Sequence, residues 1–193
     1  MSSHRVWKPR AGIDLKGGVA AQALAVQLAP IAPPPTDPET IKSSSDRITL
    51  KSFTPIDAYT LGHLIWARLS PLSNTQPCVI SISTSTGVVL FQMVTGPGTK
   101  PDHQTWVDRK RRAVLRWGCS TWLMSRQFEG DEERFRKTFA MSESEAGHYC
   151  IHGGGVPVFV DGVEGVVGVV VVSGLRQQED HGVVFEALEA GWE

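Results

Sequence analysis

The chain has 193 residues, 20% of them charged and 41% hydrophobic, with a formal net charge of -1. This is enough for one domain with a proper core, and so balanced a charge gives no whole-molecule field for nucleic acid. No apolar run reaches the ~18 residues that cross a bilayer, so neither a nucleic-acid nor a membrane partner is expected.

Residues 1–47 differ from the rest. Spacing predicts a short helix over Val19 to Leu28, followed by a proline-rich stretch that includes Pro33-Pro34-Pro35. Consecutive prolines forbid helix and favour an extended linker. Ser43-Ser44-Ser45 continues the loose composition. We expect 1–47 to be a mobile arm, or one docked on the body or a neighbour, and 48–193 to be a single α/β domain. The N-terminus is polar without a continuous apolar core, which predicts no secretory signal. Asp14 and the sparse Ser and Arg argue against a transit peptide. Cys78, Cys119 and Cys150 form no CxxC pair. An odd number without framework spacing favours reduced thiols and a cytoplasmic setting.

Thr54-Pro55 is an N-cap followed by proline at the first helical position, with Asp57 in the first turn. Ile56, Tyr59, Leu61, Leu64, Ile65 and Leu69 recur at helical spacing until Pro71. Cys78 to Ser83 and Val88 to Val94 flank Thr84-Ser85-Thr86-Gly87, a hairpin with glycine in its turn. One long helix is expected over Asp102 to Gln127, with Trp106, Val107, Ala113, Val114 and Trp117 on one face and Arg109-Lys110-Arg111-Arg112 on the remainder. Glu132 to Phe139 reads as a short charged helix, and Val156 to Val160 as a strand. Val166 to Val172 reads as a β-branched strand, central because both its faces are apolar. Glu179 to Leu188 closes the domain as a helix. Strands paired as hairpins imply a largely antiparallel sheet with helices packed on it.

The chemistry-bearing residues concentrate between His148 and Leu188. His152-Gly153-Gly154-Gly155 precedes a strand, whereas phosphate-binding loops follow a strand and open a helix, so nucleotide binding is rejected on this motif. Three glycines allow either close approach of a ligand to the backbone or a tight turn into an edge strand. His148 and His152 are four apart with Cys150 between them, but no HExxH pattern or zinc spacing exists, and no metal site is predicted. Glu179-Asp180-His181 either complements the dipole of the last helix or supplies a general base, His181, oriented by a carboxylate. The basic run is either a solvated helix face or a site for carboxylate groups. Ser120 and Ser173 lie outside any GxSxG elbow, which leaves a serine hydrolase without support.

Three motifs in order carry a family resemblance: Trp106 with Arg109-Lys110; His152-Gly153-Gly154-Gly155 with Pro157; and Val172-Ser173-Gly174-Leu175 with Glu179-Asp180-His181. With weaker agreement across Phe53 to Leu188, the chain resembles the haem-degrading domain family, related to GlcG-like proteins and to the C-terminal domain of a corrinoid adenosyltransferase, in a branch found in bacteria and yeasts. The resemblance implies a profilin-like fold, a central mainly antiparallel sheet flanked by helices. It also implies homo-oligomers, and haem, corrinoid or another small ligand. On that reading Trp106, Arg109, Lys110, His152, Gly153, Gly154 and Gly155 bind the ligand, and His152, His181 and Asp180 carry any catalysis. Val156 stands where the family tends to have an aromatic, and Cys119 where it tends to have serine. The function expected is binding of a small, anionic molecule, a tetrapyrrole first. The alternatives are a cofactor-free isomerase or lyase using histidine acid–base chemistry, and an oligomeric adaptor.

Overall fold

The computed structural model describes residues 4–8 and 30–193. The helix expected over Val19 to Leu28 lies outside the described residues. In chain order the elements are α1 Pro38–Ser44, β1 Ile48–Leu50, α2 Pro55–Leu69, β2 Val79–Thr84, β3 Val89–Val94, α3 Pro101–Trp117, α4 Thr121–Gln127, α5 Glu132–Thr138, α6 Glu143–Ala146, β4 Gly155–Val160, β5 Gly168–Ser173 and α7 Gln177–Gly191.

The sheet has five strands in the order β1-β4-β5-β2-β3. Only β1 against β4 is parallel; the other pairings are antiparallel. The expected mainly antiparallel sheet flanked by helices is therefore what the structure has, with β5 at its centre. Valine at successive positions of β5 serves both faces. Val170 and Val172 join Ile80, Ile82, Val156 and Val158 under α2 and α7. Val169 and Val171 join Val79, Val107 and Val114 under α3. The period-2 alternation of a strand thus builds two apolar layers from one valine run.

Two expectations change. The helix predicted over Asp102 to Gln127 is broken after Trp117. Gly118 takes a left-handed φ of +65° as the cap of α3, and its N–H donates to Val114 O. Ser120 then caps α4, its Oγ accepting from Leu123 N–H at 3.0 Å. The segment before Ile48 contains a helix: α1 is capped by Asp37 with proline at its start, and Ile41 is wholly buried. Residues of 30–47 also contact the body, since Trp122 Nε1–H donates to Pro35 O at 2.7 Å and Asp46 Oδ1 accepts from Ser120 N–H at 2.7 Å. Trp7 is buried beside β1, donating from its N–H to Thr49 O at 2.7 Å. Among the described residues no helix is long and apolar enough to cross a membrane.

Candidate functional site

The basic run of α3 does not form a single solvated face. Arg109 Nε–H donates to Tyr149 O at 2.9 Å. Arg111 Nε–H donates to Ser83 Oγ at 3.0 Å, fastening α3 to the end of β2. Lys110 points inward and is buried; its ammonium donates to Asp180 Oδ2 at 2.9 Å and to Val172 O at 2.8 Å. Of the four, only Arg112 is exposed. Asp180 is buried too, and its second oxygen accepts from Leu175 N–H at 3.0 Å. Burial pushes the Asp180 carboxyl above its usual range against the pull of the Lys110 ammonium.

This ion pair forms part of the wall of a cavity of about 390 Å³, also lined by Lys100, Asp102, His103, Trp106, His152, Ser173, Gly174, Leu175 and Gln177. The N-cap and first two turns of α3 supply Lys100, Asp102, His103 and Trp106. The loop before β4 supplies His152, and the β5–α7 turn supplies Ser173 to Gln177. Four residues expected from the sequence, Trp106, Lys110, His152 and Asp180, therefore meet at one cavity.

His152 is held on two sides. Its Nε2 lies 3.3 Å from Glu132 Oε1, and its ring meets Trp106 edge-on at 5.3 Å between centroids. Glu132 in turn lies 3.7 Å from the Arg109 guanidinium, which stacks over Trp106 at 4.6 Å. The hydrogen bond from His152, aided by the charge of Arg109, holds the Glu132 carboxyl below its usual range despite partial burial. Arg109 itself does not line the cavity; it acts on it through Glu132 and Trp106.

The glycines also stand behind the cavity rather than in its lining. Gly153 N–H donates to Gln177 Oε1 at 3.2 Å and Gly155 N–H to Thr121 Oγ1 at 2.9 Å. At Gly154, with φ +112°, an added Cβ would meet Val172 O and come within 2.7 Å of Asp180 Cβ and 2.8 Å of Lys110 Nζ. What approaches this backbone so closely is the β5 backbone at Val172 O together with the protein's own ion pair. His181 faces away from the cavity. It is wholly buried, its Nε2–H donates to Ser45 O at 2.9 Å, and it packs against Trp122 and Phe185. Burial pushes it down to about 3, and its Nδ1 has no hydrogen-bond partner. Glu179 takes the capping role considered for this segment, accepting from Arg176 N–H at 3.2 Å.

Sequence reasoning missed Glu132, Lys100, His103 and Gln177. Only His103 carried a local signal, a histidine in the first turn after Lys100-Pro101. Glu132 meets His152 through the packing of α4, α5 and α6, which no local spacing encodes. Among the described residues no group of three or more His, Cys, Asp or Glu is placed to hold a metal ion.

Residues 53–189 match the family described as haem degrading protein HbpS-like. A UPF0303 protein of Streptomyces avermitilis is 39% identical over 158 residues, covering 82% of this chain and 91% of that relative. The UPF0303 protein YBR137W of Saccharomyces cerevisiae is 32% identical over 152 residues, covering 79% and 82%. The crystal structure of Ybr137w superposes with a TM-score of 0.71 at 28% identity, covering 80% of this chain and 86% of that one. The crystal structure of HbpS gives 0.50 at 16% identity, covering 72% and 88%, a likeness of fold alone. With that match over most of its length, and with relatives in bacteria and yeast, the chain belongs to the HbpS-like haem-degrading protein family.

Proposed function

We propose that the chain binds a small anionic molecule in the cavity beside His152, and that the ligand class is a haem-type tetrapyrrole. The observation that carries this reading is the clamp on His152: a carboxylate on Nε2 and an indole against the ring fix its orientation at the cavity wall. A histidine held by a carboxylate on one nitrogen is the arrangement in which the other nitrogen serves as a donor to a metal centre. The residues present fit such a group: an oriented imidazole, the Trp106 indole, the Leu175 side chain and the Lys100 ammonium line one space. Haem, when bound, supplies an iron that accepts an imidazole nitrogen. The chain would orient the ring through Glu132 and meet the acidic groups from Lys100. Arg109 and Lys110 are engaged by protein partners and take supporting roles, Arg109 on Glu132 and Lys110 in the cavity wall. Thermal melting tests this. A tight ligand that binds only the folded state raises Tm with its concentration. Haemin raises the wild-type Tm saturably and leaves His152→Ala unmoved; an equal rise in both refutes the reading.

A second reading draws on the same couple, since an imidazole oriented by a carboxylate is also a general base. A cofactor-free isomerase or lyase would lose turnover in His152→Ala and Glu132→Gln while still binding its substrate.

We also propose self-association through the edge strand β3. Val89 and Val94 are exposed on it, and an unpaired strand edge is a template for a second copy. The thiols of buried Cys78 and partly buried Cys119, both pushed up to about 12 by burial, suit a cytoplasmic protein with inert, reduced cysteines.

A further inference from the structure

We propose that the cavity contains a carboxylate-recognition subsite made by Gln177 and His103. The proposal rests on the ligand reading above and names the group that the ligand presents to this side of the cavity. Gly153 N–H is unambiguously a donor, so the Gln177 atom it meets at 3.2 Å is the amide oxygen. The same oxygen accepts from Ser125 Oγ–H at 3.0 Å. Both interactions lock the amide with its oxygen toward the protein. What Gln177 has left to offer the cavity it lines is its NH2 group.

His103 obeys the same logic. Lys100 N–H donates to its Nδ1 at 3.0 Å, so the neutral ring carries its proton on Nε2. Lys100 O, 3.2 Å from that Nδ1, already accepts from His103 N–H at 3.0 Å. Two side chains on different elements, each oriented by a backbone N–H, therefore contribute N–H donors to one space, and the Lys100 side chain adds a cation. Of the two carboxylates in the lining, Asp180 is engaged by Lys110 and by Leu175 N–H, and Asp102 is exposed to solvent. Two fixed donors with a neighbouring ammonium and no free buried carboxylate select an anionic, two-oxygen acceptor, a carboxylate.

Gln177→Glu isolates the claim. The new carboxylate still accepts from Gly153 N–H and Ser125 Oγ–H, so the loop stays tied, while the donor presented to the cavity becomes an oxygen. Haemin and its dimethyl ester, titrated into the full chain, separate acidic groups from the ring. Wild type is expected to prefer haemin by about tenfold or more, the scale of a charged hydrogen bond. Gln177→Glu is expected to erase that preference while binding the ester as wild type does, with its circular dichroism unchanged. His103→Ala, on a separate element, is expected to narrow the same preference and guards against a folding defect at 177. Retention of the wild-type preference in both variants, or equal binding of haemin and ester by wild type, overturns the subsite and leaves the tetrapyrrole reading standing. If wild type binds neither tetrapyrrole, that reading fails and the subsite is judged on Tm with succinate against succinamide. A selective rise with succinate that is lost in Gln177→Glu upholds a subsite for small carboxylates, and an equal response overturns it.

Discussion

Lys110 Nζ and Asp180 Oδ2 form a buried ion pair at 2.9 Å, joining α3 to the first turn of α7 in the cavity wall. Removing one partner of such a pair leaves an uncompensated buried charge, which costs about 3–5 kcal/mol. Asp180→Ala and Lys110→Ala are each expected to lose that much in urea unfolding. The double variant Lys110→Met/Asp180→Leu is expected to lose far less than the sum of the two single losses. Additive losses would show that the two side chains act independently.

The same pair and the β5 backbone together dictate the glycine at 154. A side chain there must adopt a φ of +112° and displace Val172 O as well as Asp180 and Lys110 Nζ. Gly118 is also left-handed, at +65°, yet nothing lies within 4 Å of its Cβ direction. Gly118→Ala is therefore expected to cost about 1 kcal/mol from backbone conformation alone. Gly154→Ala is expected to cost at least about 3 kcal/mol, strain and overpacking together. Chemical denaturation of the two variants side by side checks the ordering.

Burial holds His181 neutral in the fold, pushed down to about 3 from 6.5. As pH falls through 6.5 the unfolded chain takes up this proton, and the folded chain does not until pH nears 3. Stability is thus lost across that window at about 1.4 kcal/mol per pH unit, or about 2 kcal/mol between pH 7 and 5. His181→Gln, which retains a donor for Ser45 O, is expected to show a smaller loss by that amount between the two pH values in urea melts. An unchanged pH dependence would mean that His181 titrates in the fold near its ordinary value.

Self-association through β3 is expected to fail when the strand edge carries charge. Val89→Lys/Val94→Lys is expected to sediment as a monomer with unchanged circular dichroism, where wild type sediments as a dimer or larger. Monomeric wild type would remove this interface.

The fold was legible where sequence and structure share a short range. The β2–β3 hairpin follows from alternation around Gly87, and α2 from Thr54-Pro55 with Asp57, a capping box in the structure. The break after Trp117 was also written locally, as Gly118 followed by the N-cap Ser120, but the apolar pattern on either side masked it. β1, only three residues long, pairs with β4 more than a hundred positions away, and no local pattern reports that. At the site, Trp106 and His152 were legible as residue types. Lys110 was not legible as a buried group, because a basic run reads as solvated until its partner Asp180 is known. Glu132 and Gln177 were invisible for the same reason: each acts through one contact across the fold, with His152 and with Gly153 N–H.

The proposed function requires that His152, held by Glu132, meets the ligand in this cavity. Haemin titration followed at the Soret band, with wild type, Glu132→Gln and His152→Ala in parallel, tests it most directly. The account predicts a saturable shift at about one haemin per chain in wild type, an affinity loss of about tenfold or more in Glu132→Gln from the weakened orienting contact, and loss of the specific shift in His152→Ala. A shift that does not saturate, or that is the same in all three proteins, would contradict it.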